Sequence, residues 1–196
     1  MTVFQHISVD SQPAQPWRNG GGQTRELFTW PGGDAPWQLR ISVADIDADG
    51  PFSAFEGVDR WFAVLQGAGV VLDLLGGTRT LTCDSPPLRF DGRAAPGCRL
   101  VDGPTRDFNL MLRHRAGQAF LQEARPGEVW SPGAPLRGLF TTGALQLQID
   151  GGATKAVAAW SLLLATSPAP RPWTITDLPP GDRALWLAFT PLTGAA

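Results

Sequence analysis

Hydrophobic side chains recur at every second position along much of this chain, and no other feature constrains its fold as tightly. In WQLRISV, Trp37, Leu39, Ile41 and Val43 point one way and Gln38, Arg40 and Ser42 the other, as a half-buried strand requires. DFNLMLRH sets Phe108, Leu110 and Leu112 against Asn109, Met111 and Arg113, and ALQLQID repeats the pattern with Leu145, Leu147 and Ile149. Turn dipeptides separate these runs: DG at 49–50 and 91–92, GG at 76–77 and 151–152. No helical period is sustained beyond ten residues. The 23 Gly and 18 Pro are spread as punctuation, which suits many short strands and turns. An all-β chain is expected.

Two features recur at one offset. GAGVVLDLLGG (67–77) aligns with TGALQLQIDGG (142–152) after a shift of 75 residues, and the same shift lays PTRDFNLMLRH (104–114) on PPGDRALWLAF (179–189). Two anchors agreeing in chain order point to a duplicated β unit. A turn-rich antiparallel unit of this size fits a jelly roll, so two packed jelly-roll β-barrels are expected. Residues 1–29 would form an N-terminal segment crossing between the barrels or lining one mouth. Residues 30–115 would form the first barrel and 116–196 the second.

Composition excludes several functions. Over 196 residues, 43% are hydrophobic and 17% charged, the mark of a compact chain with a sizeable core. A formal net charge of −2 with no Lys/Arg cluster offers no footprint for nucleic acid. No apolar run reaches the length of a membrane span, and MTVFQHISVDSQ lacks the features of an export signal, so a cytoplasmic protein is expected. Cys83 and Cys98 are then read as half-buried free thiols in preference to a disulfide.

The scarce residues narrow the chemistry further. There is no Tyr, a single Lys (Lys155) and only two His, His6 and His114. The usual metal site of a jelly-roll barrel takes several His and a carboxylate, so no metal and no other cofactor is expected. No G-x-S-x-G elbow is present, and any Ser–His or Cys–His pair would have to use the same two His. WRNGGGQTRE (17–26) has neither the Lys of a nucleoside-triphosphate loop nor the spacing of a dinucleotide loop. It is either a backbone joint or a segment that approaches a ligand, with Arg18, Asn19 and Thr24 supplying polar contacts.

Binding is what remains. Arg40 and Ser42, Asp59 and Arg60, and Asn109 and Arg113 form a candidate inward polar set in the first barrel. At the shifted positions of Asn109, Met111 and Arg113 the second copy has Ala184, Trp186 and Ala188. That asymmetry predicts a ligand cavity in the first barrel and a filled core in the second. The alternative, that Asn109 and Arg113 face water, turns on the phase of one strand. Guanidinium groups lining a pocket suit a small carboxylate, because their fork makes paired charged hydrogen bonds.

WRNGGGQTRE, WQLRISVADI with DGPFSAFEGVDR, LRFDG and DFNLMLR, in that order, resemble the HutD/Ves family over roughly residues 3–125. The resemblance implies a bicupin without the usual metal His but with a ligand pocket. It implies a small carboxylate such as N-formylglutamate or urocanate, bound in a regulatory role in histidine utilisation, or a link to stress responses on the Ves side. Its recurrent polar residues map onto Trp17, Arg18, Asn19, Thr24 and Glu26; Arg40 and Ser42; Phe52 and Ser53; Asp59 and Arg60; Asp107, Asn109 and Arg113. Glu56 departs from the family, which often has Pro there. All of these except Glu26, Phe52 and Asp107 are the expected ligand-binding residues, and no catalytic residue is assigned. Two other readings stay open: a metal-free isomerase or epimerase acting on a small acid, and an interaction module, since eight Trp leave room for exposed patches. A homodimer is compatible with either.

Overall fold

A computed structural model describes residues 3–167 and 171–192. The first eleven strands are β1 (Val3–Ser8), β2 (Ala14–Pro16), β3 (Gly22–Trp30), β4 (Leu39–Ile46), β5 (Gly50–Pro51), β6 (Val58–Gln66), β7 (Val70–Leu74), β8 (Gly77–Leu81), β9 (Leu88–Asp91), β10 (Gly97–Leu100) and β11 (Thr105–Arg113). Eight follow: β12 (Gly117–Glu123), β13 (Val129–Trp130), β14 (Leu136–Thr141), β15 (Leu145–Ile149), β16 (Thr154–Val157), β17 (Ser161–Thr166), β18 (Trp173–Asp177) and β19 (Ala184–Pro191). The helical content among the described residues is one 3₁₀ turn, Gly92–Ala94. The protein is all-β. No helix among the described residues is long and apolar enough to cross a membrane.

The described residues divide into two compact units, one of residues 12–117 and one combining residues 3–11 with 118–167 and 171–192. In the 12–117 unit a six-stranded sheet, β2-β3-β4-β11-β6-β9, packs on a four-stranded sheet, β5-β10-β7-β8. Ile46, Phe62 and Val64 from the larger sheet meet Val70, Leu72, Leu81 and Cys98 from the smaller in one buried cluster. The larger sheet's other face is apolar too: Leu39, Ile41, Val43, Phe108 and Leu110 are fully buried.

The other unit has a five-stranded sheet, β1-β17-β14-β19-β12, and a four-stranded sheet, β13-β18-β15-β16. Its core is aromatic. Trp130 and Trp186 stack with centroids 4.7 Å apart, and Trp173 meets both edge-on. Leu139, Leu147, Ile175, Ala184 and Ala188 complete the cluster.

Strand order repeats between the units. The run β4-β11-β6-β9 corresponds to β12-β19-β14-β17, and β5-β10-β7-β8 to β13-β18-β15-β16. Strand β7 begins at Val70 and β15 at Leu145, the 75-residue shift found in the sequence.

The N-terminal stretch is shared between the two units. Strand β1 pairs antiparallel with β17, Val3 opposite Thr166 through Ser8 opposite Ser161, and so belongs to the unit that contains residue 118 onward. Strands β2 and β3 instead extend the six-stranded sheet beside β4. Such long-range pairing leaves no local mark in the sequence, because a strand's own alternation does not identify its partner.

Candidate functional site

The floor of the site is set by register. Arg40 on β4 lies opposite Met111 on β11, which lies opposite Arg60 on β6. The next rows are Ser42, Asn109 and Phe62, then Ala44, Asp107 and Val64. Phe62 and Val64 belong to the core between the sheets, so the alternation places every side chain of these rows on the interior face. Asn109 therefore faces inward. The same alternation separates Asp59 from Arg60. Arg60 points into the unit and is 8% exposed, while Asp59 pairs with Arg89 at 2.9 Å. Arg113 has the parity of Asn109 but ends its strand. It is exposed, donates from Nε to the Trp37 carbonyl at 2.9 Å, and lies 4.8 Å from the Trp37 ring centroid.

The WRNGGG stretch joins β2 to β3. The Trp17 N–H donates to the Gly22 carbonyl at 2.9 Å and the Gly20 N–H to the Trp17 carbonyl at 3.0 Å, closing a tight turn. Gly20 has φ of +71°, a left-handed conformation that glycine adopts without strain. At Gly22 a Cβ would sit 2.2 Å from the Asp45 carbonyl oxygen and about as close to the Trp17 ring as packing allows, so nothing larger fits. The indole of Trp17 is held by a 2.8 Å hydrogen bond from Nε1 to Thr24 Oγ1, and Asn19 Oδ1 accepts the Gly21 N–H at 3.1 Å. The stretch is thus both a joint and part of a pocket wall.

Floor and turn enclose a cavity of about 400 Å³ within the 12–117 unit. Nine of the residues expected at the site line it: Trp17, Arg18, Asn19, Thr24, Arg40, Ser42, Ser53, Arg60 and Asn109. Asp59 and Arg113 do not line it. Sequence reasoning missed Gln15, Pro16, Ala44, Pro51, Phe55 and Met111, and had Phe52 only through the family resemblance. The parity of β4 and β11 marks Ala44 and Met111; the loop residues carry no such signal. Depth is graded, with Gln15, Arg18, Asn19 and Ser53 exposed at the mouth and Ser42, Arg60, Asn109 and Met111 buried on the floor.

Two cations organise the floor. Arg40 Nε donates to Glu26 Oε2 at 2.7 Å, and its Nη1 reaches Met111 Sδ at 4.0 Å. Arg60 donates from Nε and Nη2 to Asn109 Oδ1 at 2.8 and 2.6 Å, and its guanidinium lies 4.3 Å from the Phe52 ring centroid. Asn109 passes the contact on, donating from Nδ2 to Asp107 Oδ1. Burial pulls Arg60 down to about 10, with Arg40 pushing the same way and Asp107 opposing. Burial also pushes the Asp107 carboxyl up to about 7, against the attraction of Arg60 and the Asn109 hydrogen bond. Its Oδ2 is buried and has no hydrogen-bond partner among the described residues.

Cys98, on the opposing sheet, has its thiol pushed up to about 12 by burial, with Asp107 and Asp49 adding to the effect. Cys98 is a free thiol. On the outer face, burial alone would raise the Asp45 carboxyl, but hydrogen bonds from Arg106, Arg25 and Gln23 outweigh it and hold the group below its ordinary value.

The lining does not fit the metal that barrels of this shape commonly carry. It contains no His, Asp, Glu or Cys, and among the described residues no three such side chains gather as a metal-binding group. His6 instead bonds Ser161 Oγ at 3.0 Å, and His114 approaches Asp59 at 3.9 Å.

The HutD family model matches residues 9–177. The chain belongs to the HutD family. A Pseudomonas putida protein known as the uncharacterized 21.2 kDa protein in the hutC 3' region is 36% identical over 123 residues, covering 62% of this chain and 65% of that one. Protein Ves of Citrobacter koseri is 31% identical over 111 residues, covering 56% and 58%. The chain therefore spans less than two thirds of the length of the curated relatives it matches. Among solved structures, HutD from Pseudomonas fluorescens SBW25 (formate condition) superposes with a TM-score of 0.83 at 28% identity, over 96% of this chain and 99% of the other. A cupin 2 conserved barrel domain protein from Leptotrichia buccalis superposes at 0.58 with 10% identity over 95% and 96%, which places the fold among cupin-like barrels.

Proposed function

We propose that the cavity of the 12–117 unit binds a small carboxylate metabolite, of the N-formylglutamate or urocanate type, and that occupancy serves a regulatory role in histidine utilisation. One observation carries the binding: all the ionisable side chains lining the cavity, Arg18, Arg40 and Arg60, are permanent cations. Arg40 and Arg60 face each other across Met111, and the charge of Arg40 disfavours that of buried Arg60. An anion seated between them would relieve that repulsion and accept charged hydrogen bonds. Among the described residues Arg60 Nη1 has no hydrogen-bond partner, so a donor is available on the floor.

The same lining supports a binder over a catalyst, because arginine cannot act as a proton-transfer group near neutral pH. The link to histidine utilisation rests on the family and on the P. putida relative named for the hutC 3' region. A thermal-shift series with urocanate and N-formylglutamate tests the binding. At a hundred times Kd, a bound acid adds about 2.7 kcal/mol, or roughly 5–11 °C in Tm for a chain of this length. Arg40→Met should abolish the response. A flat response of the unmodified protein to both acids refutes the reading.

A further inference from the structure

We infer that this cavity discriminates against ligands bearing a free ammonium group, taking deaminated or N-acylated carboxylates in preference to α-amino acids. The inference deepens the carboxylate reading and rests on it. It comes from the direction of the hydrogen bonds around the cavity. Three of the side-chain oxygens that line the cavity already accept hydrogen bonds from the protein. Asn109 Oδ1 accepts two N–H groups of Arg60, at 2.8 and 2.6 Å, and Asn19 Oδ1 accepts the Gly21 N–H at 3.1 Å. Thr24 Oγ1 accepts the Trp17 indole N–H at 2.8 Å, which leaves its hydroxyl proton to donate. What these residues still offer a ligand is mostly N–H and O–H.

Charge acts in the same direction. No carboxylate lines the cavity. Glu26 is engaged by Arg40 Nε, and Asp107 lies behind Asn109 with 1% of its surface exposed. An ammonium entering with its carboxylate would give up water for neutral acceptors alone (Gln15, Ser42, Ser53) while standing beside three guanidinium groups. Burying a cation without an anionic partner is costly, and juxtaposing like charges at a binding surface costs several kcal/mol more. Masking the nitrogen as an amide, or removing it, abolishes both penalties. The selectivity arises from what the site refuses as much as from what it attracts.

Calorimetric titration with glutarate, N-acetylglutamate and glutamate tests this, because the three share a five-carbon diacid and differ in the nitrogen. Glutarate and N-acetylglutamate should bind, with glutamate weaker by at least about tenfold. Asn19→Asp keeps the Gly21 hydrogen bond and replaces a donor with an anionic oxygen at the mouth, so it should narrow the gap between glutamate and glutarate. Glutamate binding within about twofold of glutarate overturns the inference while leaving the carboxylate reading standing. A gap that Asn19→Asp leaves unchanged also overturns it, since the selectivity would then be steric. Failure of all three acids, together with urocanate and N-formylglutamate, overturns the carboxylate reading and the inference with it.

Discussion

Replacing Asp107 with Asn removes a titrating group while keeping its shape, and the structure sets the size and sign of the result. Asp107 is 1% exposed, with one oxygen bonded to Asn109 and the other without a partner among the described residues. Arg60 from β6 favours its ionised form, whereas burial and Asp45 from β4 oppose it, and the carboxyl titrates near 7 instead of 3.8. A carboxyl raised in the fold binds its proton more tightly there than in the unfolded chain. Its favourable contribution is complete below pH 3.8, is lost as pH climbs to about 7, and is constant above that. A displacement of roughly three pH units at 1.36 kcal/mol each amounts to about 4 kcal/mol. Urea unfolding of both proteins between pH 4 and 8, read in the transition that unfolds the 12–117 unit, should show Asp107→Asn gaining that amount relative to the unmodified protein. Titrating groups that do not interact with Asp107 cancel in the difference, as does any fixed cost of altering the Asn109 hydrogen bond. Parallel curves across the range would refute the reasoning. They would mean that Asp107 is ionised throughout and that Arg60 fully compensates its burial.

Arg113→Ala should leave the carboxylate response within about twofold of the unmodified protein, since its guanidinium lies on Trp37 outside the cavity; a lost response would place it in the site. Trp186→Ala should destabilise by about 3–5 kcal/mol, because it empties the space between Trp130 and Trp173 in a fully buried position; denaturant midpoints measure this. Cys98, with its thiol held near 12, should resist alkylation by iodoacetamide at pH 9 while partly exposed Cys83 reacts, which peptide mass mapping resolves.

The architecture was legible because alternation and turn chemistry are local. Strands β4, β11 and β15 sit where WQLRISV, DFNLMLRH and ALQLQID alternate, and the 75-residue shift reappears as matched strand order. The site was harder to read, and strand β6 shows why. Taking Asp59 and Arg60 together as inward residues conflicts with the period of two, which allows only one of them to face the cavity. Choosing between them needs the register with β11, a contact across about fifty residues of chain. Strand β11 poses a related difficulty, because both of its faces are buried. Phe108 and Leu110 lie on one and Asp107, Asn109 and Met111 on the other, so the polar side imitates a solvent face.

The two units show what that buried polar face does. Met111 on β11 has Arg60 as its neighbour on β6, and the equivalent pair in the other unit is Trp186 and Leu139. The strand order is the same, yet one interior holds a cation beside a cavity and the other an indole stacked on a second indole. Burying Arg60 carries a desolvation penalty that an apolar pair avoids. Phe52, Asn109 and Asp107 offset it in part, by a ring face, a two-point hydrogen bond and a charge one residue further away. A fold that also accommodates the apolar solution has no structural need for the polar one. What the polar arrangement adds is a fixed guanidinium with an N–H still unpaired at the bottom of an open cavity, which is what an anionic ligand requires.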